Sequence, residues 1–252
     1  MGDPRVAPRL RVFPDLEAAS DALADRIAHA AREAVAARGG FSIVLSGGST
    51  PLPLYRRLAT RYRREIDWSR ADVYFGDERC VGPRSPESNY ASARAALLSR
   101  LPVPTRRVHR IRGELRPPSA AAWEYARTIG PVRTQGKAPR FDVVLLGLGP
   151  DGHTASLFPG APALRVRSRS VVSVRRSPTP PHVPRVTLTV PALVSARHVW
   201  FLVSGEEKAG AVARTVGRRR DPGHPTPAGR LVESTPTEWF LDRAAARELR
   251  AP

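Results

Sequence analysis

The chain repeats one unit: a short apolar run, a turn, then a stretch with helical spacing. FSIVL (41–45) runs into SGGST and then PLPLYRRLATRY. ADVYF (71–75) runs into the polar loop GDERCVGPRSPESN and a helical stretch near YASARAALLSRL. FDVVLLG (141–147), the most apolar run, ends in a turn holding Gly147, Gly149 and Gly152. HVWFLV (198–203) precedes a helix that starts near Glu206 and runs through EEKAGAVARTV. Unbroken apolar runs suit strands covered on both faces, and strands alternating with helices predict a parallel sheet. The expected fold is α/β, a doubly wound, mostly parallel sheet with helices on both faces.

The remaining segments extend this pattern. After Pro14, DLEAASDALADRIAHAAREAVAAR places Leu16, Leu23, Ile27, Ala30, Ala31 and Val35 on one helical stripe, and Gly39-Gly40 end it. VHRIRG (108–113), SVVSV (170–174), RVTLTV (185–190) and TEWFL (237–241) read as further strands. SAAAWEYARTI (119–129) and DRAAARELR (242–250) read as helices. Two proline-rich pieces, SPTPPHVP (177–184) and DPGHPTP (221–227), interrupt a pattern that resumes after each. They are expected to be ordered loops within a single domain spanning 1–252, a length that suits one large α/β unit.

Composition narrows the function classes. No apolar run approaches the roughly 20 residues of a membrane helix, and the first residues lack the apolar core of a secretory signal. Cys80 is the only cysteine, so no internal disulfide is expected and a reducing cytoplasm is the natural compartment. The formal charge of +18 raises nucleic-acid binding. The arginines are scattered, however, with small clusters only at Arg61-Tyr62-Arg63-Arg64 and Arg218-Arg219-Arg220. Scattered charge reads as solvated surface, so no nucleic-acid or membrane partner is expected. Such charge still steers acidic or phosphorylated ligands.

Three turns carry candidate chemistry. In SGGST, Gly47 and Gly48 let backbone approach a ligand, Ser49 and Thr50 add hydroxyls, and the following helix start offers free N–H groups to a phosphate. The same residues also suit a plain helix-start turn. Asp77 and Arg79 lie just past the ADVYF strand, where a solvated acid–arginine pair is the plainer reading. In the third turn, Asp151 precedes His153 by two residues, a spacing that lets a carboxylate orient an imidazole and steady its charge. Ends of neighbouring parallel strands meet at one sheet edge, where ligands of such folds bind.

Taken together, LSGGSTP, YFGDERCV with the following SNY, GLGPDGHTASLFPG, RVTLTVPAL and SGEEKAGAV resemble the glucosamine-6-phosphate isomerase/6-phosphogluconolactonase family, over roughly residues 10 to 245. The resemblance implies a Rossmann-like fold and, on the lactonase side, hydrolysis of 6-phospho-D-glucono-1,5-lactone in the oxidative pentose phosphate pathway. It implies no cofactor and no catalytic metal. It makes His153 the general base that activates water and Asp151 its supporting carboxylate. Arg79, Arg185 and Lys208 become candidates to hold the phosphate or polarise the substrate. Gly47, Gly48, Ser49 and Thr50 form the receiving loop, and Asp77 and Asn89 help to build the pocket. The expected partner is the small phosphosugar lactone, and the expected state a monomer or weak homo-oligomer. The alternatives are an isomerase/deaminase-like enzyme and a non-catalytic sugar-phosphate sensor. Two departures favour the lactonase: Phe158 stands where the isomerases carry a glutamate five residues after the histidine, and Asp77 is followed by Glu78-Arg79 rather than Glu-Tyr.

Overall fold

The computed structural model describes residues 7–130, 141–217, 219–221 and 223–249. Lys137, Arg218 and Pro222 lie outside them. The strands in chain order are β1 (Arg9–Phe13), β2 (Phe41–Leu45), β3 (Ala71–Phe75), β4 (Asp77–Arg79), β5 (Val143–Leu146), β6 (Val171–Val174), β7 (Arg185–Leu188), β8 (His198–Val203) and β9 (Thr237–Asp242). The α-helices are α1 (Leu16–Arg38), α2 (Leu52–Ala59), α3 (Asn89–Ala96), α4 (Pro118–Ile129), α5 (Val190–Val194), α6 (Ala209–Val216) and α7 (Pro227–Ser234).

Six strands form one wholly parallel sheet in the order β1-β9-β8-β5-β2-β3. The apolar runs explain it. All four residues of β5 are buried at the centre, whereas edge strand β3 buries only Ala71, Val73 and Phe75 in alternation. From β2 the chain steps one way to β3, then returns past β2 to β5 and continues to β8 and β9. The winding therefore reverses between β2 and β5. Loops leaving the carboxyl ends of two strands at such a reversal diverge and leave a crevice. Those loops are the SGGST turn and the turn carrying Asp151 and His153.

Helix α1 is capped as its sequence suggests. Asp15 accepts from the Ala18 N–H at 2.8 Å, and Gly39 ends the helix in the left-handed region at φ 75°. It packs along β1, β2, β8 and β9.

Several elements depart from the sequence expectation. Asp77–Arg79, read as loop, is strand β4 of a second, antiparallel sheet ordered β4-β7-β6. Its partner β7 lies a hundred residues away, so no local pattern announces it. VHRIRG makes only an isolated bridge, Val73 to Val108; its His109 and the preceding Arg107 turn to the Asp72 carboxylate, at 2.9 and 2.5 Å, and its Arg110 to Glu114. RVTLTV stops as a strand at Leu188, since Val190 begins α5, with Pro191 in its first turn. Of DRAAARELR, Asp242 ends β9 and 243–249 are turns and a short 3-10 helix (Arg247–Leu249), because the Asp242 carboxylate takes the Ala245 N–H at 2.7 Å and also holds the Gly205 N–H. β1 and α7 carry no strong local signal, and Pro227, assigned to a loop, is the first residue of α7.

Among the described residues, no helix is long and apolar enough to cross a membrane.

Candidate active site

A cleft of about 460 Å³ opens at the carboxyl ends of β2 and β5. It is lined by Gly47, Gly48, Ser49, Thr50, Asp77, Arg79, Asn89, His153, Arg185 and Lys208. Every site residue singled out in the sequence is thus brought to one place, with Asp151 joined to it through His153.

The His153 turn is closed by its own backbone. The Gly149 N–H donates to the His153 carbonyl at 2.8 Å, and the Gly152 N–H to the Gly149 carbonyl at 2.9 Å. Asp151 Oδ1 lies 2.5 Å from His153 Nδ1 and also accepts the His153 N–H at 3.0 Å. With Nδ1 engaged, a neutral His153 carries its free lone pair on Nε2. The ring rests against Phe158, centroids 4.7 Å apart. A side chain at Gly149 would overlap the imidazole. Gly152 sits at φ +83°, where an added carbon would come within 2.7 Å of Thr226. Ala155, next along the cleft, also has positive φ, 48°, a strained setting for a residue with a Cβ.

On the opposite wall, Asn89 donates through Nδ2 to the Asp77 carbonyl (2.9 Å) and to Asp77 Oδ1 (3.1 Å). Ser156, from the His153 segment, donates to Asp77 Oδ2 at 2.6 Å. Asp77 therefore ties the two walls together. The Asn89 carboxamide fills the space where any side chain on Gly47 would stand. Tyr55, from α2, donates to the Ser46 carbonyl at 2.6 Å and so fixes the SGGST turn; burial pushes that phenol well above its ordinary range.

Arg79 and Arg185 are directly opposite across β4 and β7. Like charges facing each other on paired strands are destabilising. Each nevertheless keeps a buried Nε with no hydrogen-bond partner among the described residues. Burial, with Arg79 as neighbour, pulls Arg185 below the usual guanidinium range, and Asp77 opposes this. Arg185 Nη2 donates to the Pro181 carbonyl at 3.0 Å and to Ser177 Oγ at 3.2 Å. It therefore pins the first proline-rich loop, whose Thr179 and Pro180 line the cleft. Lys208 stands just before α6, its Nζ 3.9 Å from Glu207. The pocket is cationic, with one buried carboxylate inside it. Among the described residues, no group of three or more His, Cys, Asp or Glu is placed to hold a metal.

A family model described as glucosamine-6-phosphate isomerases/6-phosphogluconolactonase matches residues 14–239. The chain belongs to that family. A 6-phosphogluconolactonase of Mycobacterium tuberculosis is 42% identical over 248 residues, covering 95% of this chain and 98% of the relative. One of Streptomyces coelicolor is 40% identical over 250 residues, covering 96% and 95%. The solved 6-phosphogluconolactonase of Trypanosoma brucei superposes with a TM-score of 0.83 at 29% identity, covering 97% of this chain and 99% of that one.

Within the family, Phe158 bears on the choice between the two named activities. It presents an aromatic ring, not a carboxylate, to His153, so Asp151 is the acid that partners the imidazole. Sequence reasoning missed several contributors. Thr179 and Pro180 reach the cleft from a loop that Arg185 holds. Ser156 reads as one more small residue until Asp77 is placed beside it. Arg214 and Thr226 brace the His153 turn from behind, Arg214 donating to the Pro150 carbonyl at 3.0 Å. Each depends on a partner far along the chain.

Proposed function

We propose that this chain hydrolyses 6-phospho-D-glucono-1,5-lactone to 6-phospho-D-gluconate in the oxidative pentose phosphate pathway, with His153 activating the attacking water. The observation that carries this reading is the Asp151–His153 pair facing a cationic wall across one cleft.

The Gly47–Thr50 turn, the uncapped start of α2 and Lys208 receive the phosphate, which fixes the lactone carbonyl in the cleft. Asp77 and Asn89 shape the wall beside it. His153 Nε2 takes a proton from water as the water oxygen bonds to C1. The negative charge that develops on the C1 oxygen is met by Arg79 and Arg185, which line the cleft. The bond from C1 to the ring oxygen then breaks, and the imidazolium returns its proton to that oxygen. Asp151 steadies the imidazolium in between. A lactone is an activated ester, so no covalent enzyme intermediate enters and no cofactor is needed.

The wider reading is a single α/β domain, acting in the cytoplasm as a monomer or weak homo-oligomer, without a nucleic-acid partner. Support for the last point is that many arginines are spent on local acids: Arg107 on Asp72, Arg110 on Glu114, and Arg219 on Glu248.

The test is acid release from freshly made lactone, corrected for spontaneous hydrolysis, with glucosamine 6-phosphate run in parallel. Activity is expected on the lactone only. His153→Ala is expected to lower kcat by about 10²–10⁴-fold, with KM changed by less than about threefold. Lys208→Ala is expected to act chiefly on KM. A His153→Ala variant with kcat within about threefold of the parent would remove the imidazole from the mechanism.

A further inference from the structure

We infer that Glu78, buried and turned away from the cleft, is a positioning residue whose carboxylate sets Arg79 and Asn89 in the active site. The inference rests on the site reading above, and deepens it.

Strand alternation supplies the first observation. Asp77 and Arg79 line the cleft, and Glu78 between them points to the other side of β4, where it is 2% exposed. A carboxylate so placed is costly unless its charge is met. Among the described residues no lysine or arginine pairs with it. Four hydrogen-bond donors meet it instead. Oε1 accepts the N–H groups of Arg79 (2.8 Å) and Asn89 (2.7 Å). Oε2 accepts the N–H of Tyr90 (2.8 Å) and the Ser88 hydroxyl (3.0 Å). Four donors fill the lone-pair sites of an ionised carboxylate. Burial outweighs these four bonds, which pull the other way, and holds the Glu78 carboxyl above its ordinary range.

The placement of those donors gives Glu78 its consequence. Asn89 and Tyr90 open α3, where an anion also meets the helix dipole. Ser88 caps the same helix, accepting the Ala91 N–H at 3.1 Å. Glu78 thereby fastens the start of α3 to β4 and closes the loop between them. Arg79 adds a second tie, from Nη1 to the Glu87 carbonyl at 2.6 Å. Asn89 leaves this clasp with its Nδ2 aimed at Asp77 and its carboxamide against Gly47. One side chain outside the cleft thus fixes two residues inside it, and through Asn89 the Asp77 carboxylate and the glycine turn.

Glu78→Gln is nearly isosteric but sets an NH₂ group against two of the four donors. On folded protein at 25 °C we expect kcat/KM to fall by about tenfold or more. Asp142→Asn is the control. That carboxylate accepts from Ser42 N–H (2.8 Å) and Ser42 Oγ (3.0 Å) at the opposite end of the strands. It is expected to lower Tm while kcat/KM stays within about twofold, as a purely structural loss would. The deciding measurement is a double-mutant cycle with Asn89→Ala. If Glu78 acts through Asn89, the double variant loses clearly less than the product of the single losses. A Glu78→Gln enzyme within about twofold of the parent, or losses that simply multiply, overturns the inference. Should Glu78→Gln fail to fold, Ser88→Ala takes its place in the cycle, with about a threefold loss and the same non-multiplicative outcome expected, and the same overturning ones. An Asn89→Ala enzyme that is itself unimpaired would instead refute the site reading, and the inference with it.

Discussion

His153 sits in a turn whose neighbouring glycines have separate tasks. Gly149 leaves room for the imidazole, and Gly152 takes a left-handed conformation while lying flat against Thr226. Across the cleft, Gly47 leaves room for Asn89. The Gly47 position is a sharp one to test, because the clash would fall on a side chain held by Asp77. Gly47→Ala is expected to lower kcat/KM by about tenfold or more, since the methyl displaces Asn89 from both of its bonds to Asp77. Far-UV circular dichroism should stay unchanged; kinetics at the parent's level would show that the carboxamide can move without cost. The glycine–acid–imidazole turn was legible because its partners are sequence neighbours. The engagement of Arg185 was not, because its acceptors are carbonyls of a proline-rich loop whose path no local pattern reveals.

Among the elements, β8 carries a titration that bears on stability. His198 begins that strand and stacks on Trp200 at 5.0 Å. Burial first, and then the nearby Arg26 guanidinium, hold its pKa below the ordinary 6.5, while Glu33, Asp142 and Glu238 pull the other way. A base whose pKa is lowered on folding binds fewer protons in the native state. Its contribution is therefore intact above about 6.5 and lost as pH falls through the folded-state value. The melting temperature should rise with pH up to about 6.5, and His198→Phe, which keeps an aromatic ring beside Trp200, should flatten that rise. Equal slopes for the two proteins would count against His198. Element identity was readable where the apolar pattern was long: α1, β2, β3, β5 and β8 lie where the sequence places them. It failed where the deciding partner was remote. β4 exists because β7 pairs with it, and DRAAARELR is unwound because Asp242 takes backbone donors from two segments.

For the whole molecule, the charge of +18 is the property with a kinetic consequence. Arginines paired with acids contribute little field at a distance, so the unpaired cations of the cleft and surface dominate what an approaching anion meets. At about 0.1 M salt the screening length is about 10 Å, shorter than the span over which a substrate is drawn in. For a phosphorylated lactone, kcat/KM should fall several-fold between roughly 10 mM and 0.5 M ionic strength, with kcat nearly constant. An unchanged kcat/KM across that range would show that the excess charge plays no part in capture.

Local order along the chain was enough to establish an alternating α/β fold and to pick out the three turns, since burial pattern, helix ends and glycine freedom are written in adjacent residues. What the folded molecule alone decided was how those turns meet. The order β5-β2-β3, the reversal that opens the cleft, and the facing of Arg79 and Arg185 all join segments far apart in sequence. Such pairings follow from covering both faces of one sheet and satisfying every buried charge at once, a condition on the whole chain that no single stretch of it contains.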